Sequence, residues 1–176
     1  MMTRGHTLFD TALGACGIGW TPLGVRAVQL PEGDPARTAA RLLHWHPDLP
    51  AADPPAAIVT VIDDVRGLLD GAPVDLSDVT LDLTGVPAFD TRVYLAARAV
   101  LPGETVTYGE LAARLGEPGA ARAVGRALGR NPVPIIVPCH RVVAAGGRTG
   151  GFSARGGVHT KLRMLAIEGA GPATLF

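Results

Sequence analysis

The chain of 176 residues reads as a mixed α/β (α+β) protein in two halves. The first half carries strands followed by two helices, and the second is mostly helical, with a helix-turn-helix inside it. Three observations predict this. Short β-prone runs separated by turn residues occupy the region up to Leu30. Between Ala56 and Leu69, apolar residues recur at helical spacing. After Phe89 come four short helical patterns, each closed by glycine or proline.

Taken in order, residues from about Thr7 to Leu30 read as strands. Ala15 to Trp20 and Gly24 to Leu30 flank Thr21-Pro22-Leu23, a turn. Alternation puts Val28 and Leu30 on one face. Cys16 falls in this strand pattern and reads as core filler. Asp34-Pro35 supplies an N-cap and a proline at the first helical position, so a helix over Ala36 to His46 is expected, with Leu42 and Leu43 apolar. His44, Trp45 and His46 end it, and the histidines read as surface residues, because no spacing suitable for a metal site surrounds them. Pro47, Pro50, Pro54 and Pro55 mark a loop. The helix from Ala56 to Leu69 points Ile58, Val61, Ile62, Val65 and Leu69 inward, and Gly71-Ala72-Pro73 stops it. Val79 to Leu83 alternates with acids and fits a strand. Gly85-Val86-Pro87 divides the chain into domains 1–86 and 87–176.

The second half opens with a helix from about Thr91 to Val100. Thr107-Tyr108-Gly109-Glu110 is a capping box that starts a helix to about Leu115. Gly116-Glu117-Pro118-Gly119 breaks the chain, and a helix from Ala120 to about Gly129 follows; the pair forms the helix-turn-helix. Asn131-Pro132-Val133-Pro134 forces extended backbone. Val142 to Ala145 reads as a strand, Gly146-Gly147 as a turn, and 148–157 as a glycine-rich loop. A last helix runs from Val158 to Ile167 with Leu162 and Leu165 inward, stopped by Gly169.

Composition bounds the function. Hydrophobic residues make up 47% of the chain, enough for packed cores and against global disorder. Cys16 and Cys139 are the only cysteines, which argues against a disulfide framework and for a reducing compartment. The first residues carry no apolar signal-like region and no apolar run is long enough to span a bilayer, so a soluble cytoplasmic protein without membrane contact is expected. A phosphate-cradling glycine loop of the P-loop type is absent. The net charge of zero conceals a split. The chain before Phe89 has five arginines against eleven acids, a net −6, so the remainder carries +6. A basic second half suits a polyanionic partner.

The second helix of the helix-turn-helix refines that partner. Ala120, Ala121, Ala123, Gly125, Ala127 and Gly129 are small, and no amide or carboxylate is available to read base edges. Arg122, Arg126 and Arg130 recur every four residues. Small residues allow close approach to DNA, and arginines reach phosphates or a minor groove, so binding independent of sequence is expected. Next comes Ile135-Ile136-Val137-Pro138-Cys139-His140-Arg141-Val142, an apolar run delivering a cysteine to a histidine. A thiolate is the reactive form, and such a cysteine needs a base or a positive neighbour. A buried structural thiol remains the alternative at this point. Glu168 stands at a helix C-terminus, where the dipole disfavours a carboxylate, so it needs a partner; His140 is the natural one.

Ala120-Ala121-Arg122-Ala123-Val124-Gly125, Asn131-Pro132-Val133-Pro134-Ile135 and Pro138-Cys139-His140-Arg141-Val142 resemble the signature of the methylated-DNA–protein-cysteine methyltransferases, the O6-alkylguanine-DNA alkyltransferases. The specific resemblance covers about Phe89 to Gly169. It implies a ribonuclease-H-like first domain, matched here only in size and element order, and a winged-helix-like domain bearing the site. It implies a DNA repair protein that flips O6-alkylguanine from duplex DNA and transfers the alkyl group irreversibly to Cys139, once per molecule. His140 is implied as the base acting through a water, Glu168 as its orienting carboxylate, and Asn131 as the brace of the active-site turn. Tyr108 matches the tyrosine that meets guanine N3, and Arg122 the arginine that fills the gap left by the base. Val142 would offer a backbone carbonyl to the guanine amino group, and Ser153 a backbone N–H to O6. Ala121 and Gly125 would lie against DNA. Arg141 would be a buried ion-pair member. The implied partner is double-stranded DNA bearing O6-alkylguanine, bound in the minor groove by a monomer without cofactor or metal. Cys139 separates the chain from related binding-only proteins, which carry tryptophan there. Gly151 and Phe152 replace an asparagine and a tyrosine found in some relatives. A non-catalytic lesion-binding protein is the alternative reading. A cysteine hydrolase built on Cys139, His140 and Glu168 is a third, but leaves the Arg122 helix unexplained.

Overall fold

The computed structural model describes residues 2–170. It is a mixed α/β structure with a small antiparallel sheet and six α-helices among the described residues. Two compact units form. Among the described residues, the first comprises 2–84 together with 132–136, and the second comprises 85–131 and 137–170.

In the first unit, β1 (Gly5–Thr11), β2 (Gly14–Thr21) and β3 (Gly24–Gln29) form a meander. The registers pair Phe9 with Cys16 and Ile18 with Val28, and a bulge interrupts β2 at Gly19 and Trp20. Helix α1 (Pro35–Trp45) packs on this sheet. The Asp34 carboxylate caps it by accepting the Arg37 N–H, with Pro35 at the start, as the sequence pattern requires. Helix α2 (Ala56–Leu69) buries all five apolar residues at the expected spacing, and Leu68 as well. Cys16 is fully buried, and burial pushes its thiol up to about 11, partly offset by the Thr11 hydroxyl.

The expected strand over 79–83 is not a strand. A single parallel bridge joins Leu81 to Val25, made by Val25 N–H donating to Thr80 O and Asp82 N–H donating to Val25 O. The acid that gave the alternation explains the difference. The Asp82 carboxylate turns in to accept the Thr21 hydroxyl at 2.6 Å and the Thr84 N–H at 3.0 Å, which ends the ladder after one bridge. The segment 132–136 returns to this unit, where Val28 N–H donates to Pro132 O. Ile135, buried there, sits at φ 73°, left-handed backbone that a β-branched residue rarely adopts.

In the second unit, α3 (Ala88–Ala97) begins about three residues before the expected start. Pro87 occupies its N-cap position, and Asp90 falls in the first turn, where a carboxylate suits the helix dipole. Strand β4 (Val106–Thr107) leads into α4 (Tyr108–Arg114) through the expected capping box: the Thr107 hydroxyl accepts the Glu110 N–H and the Glu110 carboxylate accepts the Thr107 N–H. After a turn over 115–120, α5 (Ala121–Gly129) buries Val124, Ala127 and Leu128 and leaves Arg122 and Arg126 exposed. Cys139 to Arg141 form a single 3-10 turn, which the sequence pattern did not anticipate. Strand β5 (Val142–Val143) is two residues long rather than four and pairs in parallel with β4, Val106 to Val142 and Thr107 to Val143. Helix α6 (Val158–Ile167) buries Lys161, Met164 and Leu165; Leu162, expected inward, is only half-buried. No helix among the described residues is long and apolar enough to cross a membrane.

Candidate active site

The parallel pairing of β4 with β5 builds the site. It sets the first residue of α4, Tyr108, beside the stretch that follows Cys139. The backbone of the cysteine turn is held from two sides. Val137 O accepts both the Cys139 N–H at 2.8 Å and the Asn131 side-chain N–H at 3.0 Å, and Pro138 O accepts the Arg141 N–H. Asn131 therefore closes the excursion over 132–136 at its base. It also hydrogen-bonds the thiol.

Cys139, His140 and Arg141 are all buried. His140 Nε2 lies 2.8 Å from Glu168 Oε1, so the pairing anticipated from the helix dipole is present. Arg141 adds a two-pronged contact to the same carboxylate, Nε to Oε2 at 2.9 Å and Nη2 to Oε1 at 2.8 Å, and donates from Nη1 to Val100 O. Burial alone would raise the Glu168 carboxyl, but the hydrogen bonds and charges of His140 and Arg141 bring it down to about 2. His140 moves the other way. Burial lowers its pKa, Glu168 partly opposes this, and the charges of Arg141 and Lys161 lower it further. The pair is thus a neutral imidazole on an ionised carboxylate. An ionised carboxylate only accepts, so Nε2 carries the proton. Nδ1 is left as an acceptor, buried and without a hydrogen bond.

The thiol is not ionised by default. Burial raises its pKa, against lowering by Asn131, by the Lys161 charge and by backbone N–H groups. Lys161 is the functional residue that sequence reasoning missed. Fully buried, it donates from Nζ to Val142 O at 2.6 Å, to Gly151 O at 3.3 Å and to the Tyr108 hydroxyl at 3.4 Å. Its ammonium lies 5.6 Å from the Tyr108 ring centroid. Burial brings its pKa down to about 8, with Cys139 opposing. The signal was present in the sequence: position 161 lies three residues before Met164 and four before Leu165, on the apolar face of α6.

Tyr108 is half-buried, and burial and then Cys139 raise its pKa. A methyl added at Gly125 would meet its ring at 3.8 Å, and one added at Gly150, itself at φ 74°, would come within 2.7 Å of its hydroxyl. Glycine at 150 is required twice, by backbone and by space. The Val142 carbonyl takes the Lys161 ammonium, so a ligand there would use its second lone pair. Ser153 is exposed and its hydroxyl donates to Gly129 O. Ala121 and Gly125 lie half-buried on α5, and Arg122 is exposed on the same helix. Cys139, His140, Glu168, Asn131, Tyr108 and Val142 are linked by these contacts or by the thiol's electrostatics. No contact joins Arg122 or Ser153 to the thiol.

A buried thiol with a neutral imidazole on an ionised carboxylate, beside a tyrosine and a lysine, is an arrangement suited to a protein that uses a cysteine as nucleophile. Comparison with known proteins gives the family. Residues 88–170 match the model of the 6-O-methylguanine DNA methyltransferase DNA-binding domain. A methylated-DNA–protein-cysteine methyltransferase of Methanothermobacter thermautotrophicus is 37% identical over 164 residues, covering 93% of this chain and 82% of the relative. The Mycobacterium tuberculosis enzyme of the same name is 42% identical over 135 residues, covering 77% of this chain and 73% of that one. Mycobacterium tuberculosis OGT, solved in complex with DNA, superposes with a TM-score of 0.74 at 34% identity over 96% of both chains. The O6-methylguanine-DNA methyltransferase of Pyrococcus kodakaraensis superposes with a TM-score of 0.70 at 29% identity, over 95% of this chain and 99% of that one. The chain belongs to the methylated-DNA–protein-cysteine methyltransferase family. It is a DNA-binding DNA repair methyltransferase with that family's transferase activity.

Three outcomes follow from the geometry. Glu168→Gln leaves the buried Arg141 cation without its counter-charge and should cost about 3–5 kcal/mol in urea denaturation; a loss under 1 kcal/mol would contradict the shared-carboxylate arrangement. Stability should decline as pH falls through about 6.5, the ordinary histidine value, because the unfolded chain protonates His140 while the folded one resists. A second decline should run from about 4.5 toward 2, as Glu168 is protonated in the unfolded chain first. Thermal midpoints across pH 2–8 measure both, and in Glu168→Gln the lower step should shrink, leaving the part that Asp82 contributes. Gly150→Ala should slow alkyl transfer about tenfold by displacing Tyr108 and lower stability by about 1–2 kcal/mol; an unchanged rate would show that Tyr108 is not held by this contact.

Proposed function

We propose that the chain repairs O6-alkylguanine by flipping it from the duplex and moving the alkyl group irreversibly onto Cys139 Sγ, once per molecule. The observation that carries this reading is the His140–Glu168 pair, which leaves a buried imidazole acceptor next to a protonated, buried thiol.

The residues fall into roles. His140 Nδ1 takes the thiol proton through a water, and Glu168 stabilises the imidazolium that forms. Asn131 and the Lys161 charge stabilise the thiolate as it appears. The thiolate attacks the alkyl carbon, the C–S bond forms as the C–O6 bond breaks, and guanine leaves with the electron pair. Tyr108 already accepts from Lys161, so its own proton is free to meet N3 of the leaving base. The Val142 carbonyl and the Ser153 N–H complete recognition of the flipped guanine. A thioether has no easy leaving group, which makes the transfer single-turnover.

The target carbon is inaccessible inside a duplex, so extrusion is needed. We read α4, the turn and α5 as a winged-helix-like helix-turn-helix that lies in the minor groove. Arg122 enters the stack where the base leaves, and Ala121 and Gly125 permit close approach. The N-terminal domain (1–86) is read as ribonuclease-H-like and as carrying no group of the reaction, and the protein as a monomer on DNA.

Incubation with duplex DNA bearing labelled O6-methylguanine tests the reading. One label per molecule on Cys139, lost in Cys139→Ser while DNA binding remains, is the expected result. Tight binding with no label would favour a lesion-binding protein instead. For Arg122→Ala, repair of duplex DNA should fall at least tenfold more than reaction with free O6-benzylguanine; equal losses would remove the insertion role.

A further inference from the structure

Three polar residues of helix α3 grip the chain around α5. Arg92 holds the approach: its Nη2 donates to Leu115 O at 2.7 Å and its Nη1 to Glu117 Oε2 at 3.1 Å, both in the turn before the helix. Tyr94 holds the last turn, donating its hydroxyl to Ala127 O at 2.6 Å. Asp90 holds the residue just past the helix. Its Oδ2 and Oδ1 accept Nε and Nη2 of Arg130 at 3.1 and 3.0 Å. The carboxylate side chain is only 4% exposed, while that of Arg130 is 57% exposed.

A two-pronged pair fixes direction as well as distance, because the guanidinium is planar and its donors are rigidly spaced. Arg130 directly precedes Asn131, which bonds Val137 O and the thiol. A change in the placement of Arg130 is therefore passed to the cysteine turn through one peptide bond.

We propose that Asp90 is a positioning residue for alkyl transfer: its two-pronged bond to Arg130 sets where Asn131 stands and so aligns the Cys139 turn. This rests on the reading of Cys139 as acceptor and Asn131 as its brace. Displacement of a reacting group by about 1 Å costs up to about a hundredfold in rate, so loss of the pair has room to show.

The test is single-turnover transfer from duplex O6-methylguanine over a range of protein concentrations. It separates the first-order transfer constant at saturation from the concentration giving half-saturation, with thermal midpoints recorded alongside. Asp90→Asn and Arg130→Gln should each lower the transfer constant about tenfold. For Asp90→Asn, which removes no cation facing DNA, half-saturation should stay within about twofold. Arg130→Lys, which keeps the charge but not the fork, should recover part of the loss. The double variant should be no slower than the slower single one, because both break one bond. If Asp90→Asn does not fold, Arg130→Lys at the half-exposed position decides. An unchanged transfer constant in folded variants, losses that multiply in the double variant, or a loss confined to half-saturation would overturn the proposal. Wild-type protein in the same series separates the two levels: no label on Cys139 would remove the acceptor reading, whereas normal labelling with unaffected variants would remove only the role of Asp90.

Discussion

The carboxylate of Glu168 receives His140 and Arg141 together, inside a shell that leaves its side chain 3% exposed. Everything chemical in the second unit depends on how that one negative charge is shared. Arg141 is permanently charged and takes both oxygens in fork geometry. With this neighbour the carboxyl stays ionised in spite of burial. An ionised carboxylate accepts from His140 and so fixes the ring's orientation and tautomer. Burial, helped by the charges of Arg141 and Lys161, keeps the ring from holding a second proton. A lone buried His–Glu pair would balance on the edge between neutral and ionic forms. The added arginine tips it toward a neutral ring with a free lone pair, which is the form a base requires.

That arrangement also explains how α6 can end on a glutamate. A glutamate at a helix C-terminus is opposed by the dipole and by burial. It is tolerated because Arg141, anchored to Val100 O at 2.7 Å, brings a compensating charge to the helix end. The 3-10 turn over 139–141 makes this possible. It is short enough to bury three consecutive residues, all cationic or titratable, and it points Arg141 and His140 at one acceptor. An extended strand would have sent successive side chains to opposite faces.

Legibility in the sequence divides along the same physical line. Helix α2 and the caps of α1 and α4 were readable because each depends on residues within a few positions of one another. The mixed α/β class followed from them. The segment 79–83 misled because its acids resembled the polar side of a strand, whereas Asp82 is bound to Thr21, sixty-one positions away. The pairing of His140 with Glu168 was readable because an unfavourable placement at a helix end demands a partner. Lys161 was not, since lysine on an apolar helix face is ordinarily a stem lying on the surface with its head in water. Only the assembled site, with the carbonyls of Val142 and Gly151 facing it, reveals that its ammonium is satisfied without water.

The raised thiol of Cys139 fits the proposed single-turnover transfer. In the proposed reaction a permanently ionised cysteine would be consumed by any soft electrophile or oxidant that reached it. Burial keeps the resting group protonated, while Asn131 and the Lys161 charge act in the opposite direction. Their effect is felt most when charge develops, because the surroundings are already oriented and low in dielectric. Docking a flat base over Cys139 would exclude more water and raise the cost of the thiolate further unless its proton had somewhere to go. His140 Nδ1 is the acceptor already in place. In the proposed reaction the bound substrate, rather than the resting environment, thus commits Cys139.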